Sequence, residues 1–188
     1  MSTRFTRRPA TAVALALFAT SAVVLPVAAA DTVTQTVTAG SRTASVANLT
    51  LTAVAYAHTA QTSTGTMTLS ADDSTGSGAG WNVTILSSAF AYTGTNGGTA
   101  IPAANFSLTS AAAPVMTAGQ AIDVVGGPKV PLVSPVGALN SARKTVQAEA
   151  AFGQGAYTQA LGVSLSIPAL SRAGTYTGTL TTTIAAAP

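Results

Sequence analysis

The chain has 188 residues, no cysteine, 7% charged side chains and a formal net charge of +3. Three of its eight basic residues fall within positions 1–30, leaving Arg42, Lys129, Arg143, Lys144 and Arg172 against five acids, Asp31, Asp72, Asp73, Asp123 and Glu149. The remainder is therefore neutral, with no basic cluster larger than Arg143-Lys144; this excludes a polyanion-binding surface, and the lack of cysteine excludes disulfides and thiolate metal sites.

Residues 1–30 read as a secretion signal. Arg4, Arg7 and Arg8 form a basic start, Ala12–Val27 is a mostly apolar run without charge, and Ala28-Ala29-Ala30 before Asp31 is a small-residue cleavage site. The apolar run is shorter than the ~20 residues of a membrane span and carries Pro26 near its end. Arg7-Arg8 is followed by Pro9 and Ala10, not by the bulky apolar pattern of a twin-arginine signal. The sequence thus predicts export, with residues 31–188 as one domain that has no membrane segment after cleavage. Abundant Thr, Ser, Ala and Gly with little charge match exported bacterial wall and matrix proteins better than cytoplasmic enzymes.

Residues 32–38, TVTQTVT, alternate strictly and predict a short edge strand. Residues 46–56 predict a second strand, with a bend where the apolar phase shifts between Leu51 and Val54. Residues 59–64 read as a polar loop and 66–71 as a strand with Met67 and Leu69 inward. Residues 71–80 form a turn-rich loop, after which Trp81, Val83 and Ile85 alternate with Asn82 and Thr84 to open a central strand that continues unevenly to Tyr92. Residues 93–99 are a loop; 105–109 predict a strand with Phe106 and Leu108 on one face; 115–119 are a turn and 122–125 a short strand. Three prolines and three glycines make 126–137 an extended loop.

Residues 142–152 have helical composition, but Val146, Ala148, Ala150 and Phe152 alternate with their neighbours, which predicts a strand. At the C-terminal end, Val163, Leu165 and Ile167 form a strand stopped by Pro168. A turn at 171–174 leads to a last strand whose buried face carries Tyr176, Leu180, Thr182 and Ile184, so 161–184 predict a closing hairpin. About nine short strands argue for an all-β fold, an antiparallel β-sandwich, with a closed barrel as the alternative.

Chemistry-bearing residues are few. Trp81 is in phase with Val83 and Ile85, so the buried face claims it before a sugar-stacking platform does. Asp72 and Asp73 beside the glycine-rich loop read as an Asx-type turn rather than a calcium site, which needs six to eight oxygens. His58 is the sole histidine, in a polar loop, and Asp123 with Glu149 is the other conceivable acid pair; neither makes a catalytic set with a nucleophile. The sequence therefore predicts no enzyme activity, no cofactor and no metal.

Two blocks resemble the WxL surface domain of Gram-positive bacteria: Gly78-Ala79-Gly80-Trp81-Asn82-Val83, and Leu165-Ser166-Ile167-Pro168 followed by Ala173 to Thr181. Where that family's closing strand usually carries a second tryptophan, this chain reads Leu180-Thr181-Thr182-Thr183-Ile184. The resemblance implies a non-enzymatic module at the cell surface, held non-covalently to the wall, with peptidoglycan or other surface proteins as partners. Trp81, Asn82, Val83 and Tyr176 are then the candidate ligand-binding or core residues. No sorting signal or apolar tail ends the sequence, so covalent anchoring is not expected. The alternative expectation is a subunit of an extracellular fibre, self-associating by adding residues 32–38 to a neighbour's sheet.

Overall fold

A computed structural model of the chain describes residues 32–95 and 97–186; the signal-like segment 1–30 lies outside them. The chain divides into two compact units, Met1–Thr36 and Val37–Pro188. Of the first, residues 32–36 are described and carry no strand or helix.

The second unit is all-β. Its strands are β1 (Arg42–Val46), β2 (Gln61–Asp73), β3 (Trp81–Ser87), β4 (Ala91–Thr93), β5 (Phe106–Ala111), β6 (Val115–Gly119), β7 (Gly137–Ala138), β8 (Arg143–Ala148), β9 (Gly155–Ile167), β10 (Thr175–Thr177) and β11 (Leu180–Ala186), with one 3-10 turn at Ala103–Asn105. All pair antiparallel. The largest sheet runs β1-β2-β9-β5-β7, with β6 also paired to β9; a three-stranded sheet runs β11-β3-β8, and β10 pairs β4. Each sheet ends in edge strands, so none closes into a barrel.

The backbone of the large sheet is the β2–β9 pair, in register without interruption from Gln61↔Ile167 to Asp73↔Gly155. Alternation explains it. Met67, Leu69 and Ala71 on β2, and Tyr157, Leu161, Val163 and Leu165 on β9, all turn to one buried face. Trp81, Val83, Ile85, Val146 and Ala148 of the three-stranded sheet join them, with Phe106 and Leu108 of β5, in one core cluster. Each large aliphatic side chain so buried contributes about 1.5–3 kcal/mol. Leu139 stitches the sheets: its N–H donates to Phe106 O and its carbonyl accepts from Ser87 N–H.

Several sequence expectations need correction. Residues 32–38 form no strand: they alternate, but Val33 and Val37 are 97% and 90% exposed, so no buried face holds them in a ladder. The strand expected over 46–56 ends where it was to begin, since β1 stops at Val46 and 47–57 continue as a strap that belongs to no strand. The bend at Leu51–Val54 is where inward leucines give way to exposed Val54 and Tyr56. Of the loop expected at 59–64, residues 61–64 are the start of β2, because β-branched threonine suits a strand as well as a turn.

Further corrections lie downstream. The turn at 115–119 is β6, whose exposed residues hide its pairing, and the strand at 122–125 is a tight loop closed by the Asp123↔Gly127 bridge. β8 stops at Ala148, so Ala150 and Phe152 belong to the turn that follows. The closing hairpin does not form. β9 pairs β2, β5 and β6, whereas the last segment breaks at Gly178 into β10, on β4, and β11, on β3. Alternation assigns side chains to faces; it leaves the choice of partner strand to the core.

Candidate functional site

Trp81 opens β3 after a glycine-rich approach, and the structure places it in the core at 0% exposure. Its indole N–H donates to Gly153 O at 2.8 Å, and its ring lies 6.1 Å from Tyr157. Gly153 has φ +75° and packs so close that a Cβ there would stand 2.8 Å from the indole nitrogen. The ring is therefore held within the core and presents no stacking face to solvent. Val83 is equally buried. Asn82 lies on the opposite face of β3, in register with Ala185 and Gln147.

The acidic pair resolves into turn chemistry. Asp73 Oδ1 accepts from the Thr75 N–H at 3.0 Å and the Thr75 hydroxyl at 2.6 Å, an Asx turn. Its Oδ2 lies 3.1 Å from Arg42 Nε, an ion contact angled away from hydrogen-bond geometry, and both atoms are buried. Asp72 accepts from the Ser74 hydroxyl, and Arg42 Nη2 donates to Ser77 Oγ at 2.9 Å. Thus the carboxylates are engaged by donors and tie the start of β1 to the end of β2.

Asp123 and Glu149 have separate roles. Asp123 Oδ1 accepts from the Gly126 and Val125 N–H groups, which with nearby Lys129 hold its carboxyl below the usual carboxylate range. Glu149 pairs with Lys129 Nζ at 3.1 Å, and Lys129 Nζ also donates to Val125 O. His58 packs edge-on against Tyr56, ring centres 5.3 Å apart, at an exposed position. Among the described residues, no three histidine, aspartate or glutamate side chains gather in metal-ligand geometry.

The feature that sequence reasoning missed is a cleft of about 650 Å³ beside the strap. One wall is strap residues 49–57; the other is the segment 171–178, including β10; Phe90, Ile101, Leu165 and Ile167 lie at its base. A second cleft of about 690 Å³ shares Leu49, Leu51, Phe90, Thr177 and Gly178 with it. The strap exists because Leu49 and Leu51 tuck over Gly65 of β2, where a Cβ would lie 2.9 Å from Leu51 Cδ2. A glycine inside a strand marks such a close approach, and that was the legible signal.

Tyr176 is the one predicted site residue at this cleft. It faces Tyr92 across the β10–β4 ladder, rings 5.3 Å apart, and their hydroxyls donate to Arg172 O and Ala173 O, both at 2.9 Å. The structure thus separates the four candidates: Trp81 and Val83 in the core, Asn82 on the far face of β3, and Tyr176 on the cleft wall. Among the described residues no helix is long and apolar enough to cross a membrane. Comparison of the chain with family models, curated proteins and solved structures returns no match.

Proposed function

We propose that the chain is an exported, non-enzymatic structural protein of the cell surface, a fibre or scaffold subunit that assembles by strand addition through residues 32–38. One observation carries this reading: Val33 and Val37, 97% and 90% exposed, sit on a strictly alternating segment that has the pattern of a strand and is itself in no strand. A β-ladder contributed by another copy satisfies those backbone groups and covers both valines. The neutral charge balance after residue 30 removes long-range repulsion between copies. The two main sheets, facing each other over the shared core, serve as the layers of a β-sandwich carrying that segment. Electron microscopy of the exported protein tests the proposal: deletion of residues 31–38 abolishes assemblies that form with the segment present, and unchanged assemblies refute it.

A second reading is non-covalent association with peptidoglycan in adhesion, as WxL domains imply. It is supported by the placement of the two resembling blocks. Trp81, Asn82 and Val83 pair directly with Ala186, Ala185 and Ile184 of β11, the strand in which the second block ends at Leu180 and Thr181. Sedimentation of the purified protein with isolated cell walls tests it; protein left in the supernatant at low and moderate salt removes wall binding.

A further inference from the structure

We propose that the cleft between the strap and β10 is the acceptor for residues 32–38 of a second copy. This inference rests on the strand-addition reading and names the surface that receives the strand.

The cleft has the three things an added strand needs. Its strap wall offers free backbone: residues 48–56 make no hydrogen bond with any other described residue except where Thr52 O accepts from Ser63 Oγ. Its opposite wall, β10, is paired on one side only, by β4, and Thr175–Thr177 line the cleft. Its lining is apolar beneath the walls, with buried Ile101 and Leu165 beside half-buried Phe90 and Ile167, which offer the apolar surface that one face of an added strand covers. In residues 32–38 one face carries Val33, Gln35 and Val37 and the other only threonines, which matches an apolar base below and water above.

The occupant must come from another molecule, because this chain's own segment is too short. Gly40 and Ser41 are tied to Ser74 beyond the end of β2 (Gly40 N–H to Ser74 O, 3.1 Å; Ser74 N–H to Ser41 O, 3.0 Å). The cleft lies toward the other end of β2, at Gln61 and Ser63. Eleven strand residues separate Ser63 from Ser74, about 36 Å at ~3.3 Å each. Seven residues from Gly40 back to Val33 reach at most about 25 Å fully extended. A chain's own segment therefore falls short of its own cleft, and each copy that donates its segment still offers an empty acceptor. That is head-to-tail, open-ended growth.

The test uses two variants of the exported protein, singly and mixed, read by analytical ultracentrifugation. Val33→Asp/Val37→Asp spoils the donor; Ala53→Arg places a charged side chain at an exposed lining position of the acceptor. Each alone is expected to be monomeric where wild type assembles, and the mixture to form a 1:1 heterodimer and nothing larger. If Ala53→Arg assembles like wild type while the double variant stays monomeric, strand addition stands and the cleft is not the acceptor. If the double variant assembles like wild type, or wild type is monomeric throughout, strand addition and the acceptor both fall. Should Ala53→Arg prove misfolded by circular dichroism, a peptide of residues 31–39 titrated onto the Val33→Asp/Val37→Asp chain replaces it. Saturable binding, blocked by Ala55→Arg and absent for a peptide with the valines moved onto the threonine face, is the expected result; equal binding of both peptides overturns the proposal.

Discussion

The indole nitrogen of Trp81 and the carbonyl of Gly153, 72 residues apart in the chain, are joined by a buried 2.8 Å hydrogen bond. This bond fixes the entry of β3 against the turn that links β8 to β9. Trp81→Phe keeps most of the ring but leaves a buried carbonyl without its donor and a gap beside Tyr157. The expected loss is about 2–3 kcal/mol of unfolding free energy in urea titration. Gly153→Ala is expected to cost at least as much, because its Cβ would lie 2.5 Å from Ala148 Cβ on a backbone with φ +75°. An unchanged midpoint for either variant would contradict this account of the core.

Arg42 and Asp73 make the deepest ion contact described, with side chains 14% and 1% exposed. Removing the cation leaves a carboxylate in the protein interior with only the Thr75 donors. Arg42→Ala is expected to destabilise the fold by about 3 kcal/mol, and Arg42→Met/Asp73→Leu by clearly less, since no unpaired charge remains. Denaturant titration of wild type, Arg42→Ala and the double variant measures this directly. Equal losses for Arg42→Ala and the double variant would show that the charge was not what mattered.

The sequence made some of this legible and hid the rest for identifiable reasons. Trp81, Val83 and Ile85 announced a buried strand because burial and period coincide, and Val146 and Ala148 outvoted a helix-like composition in the same way. Residues 61–64 and 115–119 were hidden because their strand character rests on backbone pairing, with few apolar side chains to report it. The pairing of β9, β10 and β11 is a long-range choice that no local pattern encodes. At the cleft, Tyr176 stood out in the sequence, whereas the strap did not: Leu49 and Leu51 look like strand residues, and only Gly65 across from them signals that the chain crosses above the sheet.

Tyr157 gives the fold a sensitivity to alkali. It is 2% exposed, its hydroxyl donates to Gln120 O at 2.7 Å, and burial, reinforced by the negative charge of Asp73, pushes its pKa above the ordinary tyrosine value. A group that ionises less readily when folded leaves stability intact below the unfolded pKa of about 10, and that stability is lost as pH rises through the folded value. Tyr157→Phe removes the ionisation along with the hydrogen bond. Wild type is therefore expected to exceed the variant by about 1 kcal/mol at neutral pH, with the gap shrinking above about pH 10. A gap that holds constant through pH 11 would show that the hydroxyl is not held in its neutral form.

Tyr176 and Tyr92 hold together the smallest sheet, three residues a side, which has little else to secure it. Their rings meet at 5.3 Å, and each hydroxyl fastens the turn at Arg172 and Ala173. Tyr176→Ala is expected to cost only about 1 kcal/mol globally, the size of an aromatic pair plus one half-exposed hydrogen bond. Its local effect should be larger: amide exchange of Tyr176 and Thr177 accelerates strongly while β2 and β9 stay protected, because the large sheet shares no ladder with β10. Trp81 fluorescence should be unchanged, since the indole lies among β8 and β9 residues rather than at this edge. A global loss of protection would place β10 within the cooperative core instead of on a separable cleft wall.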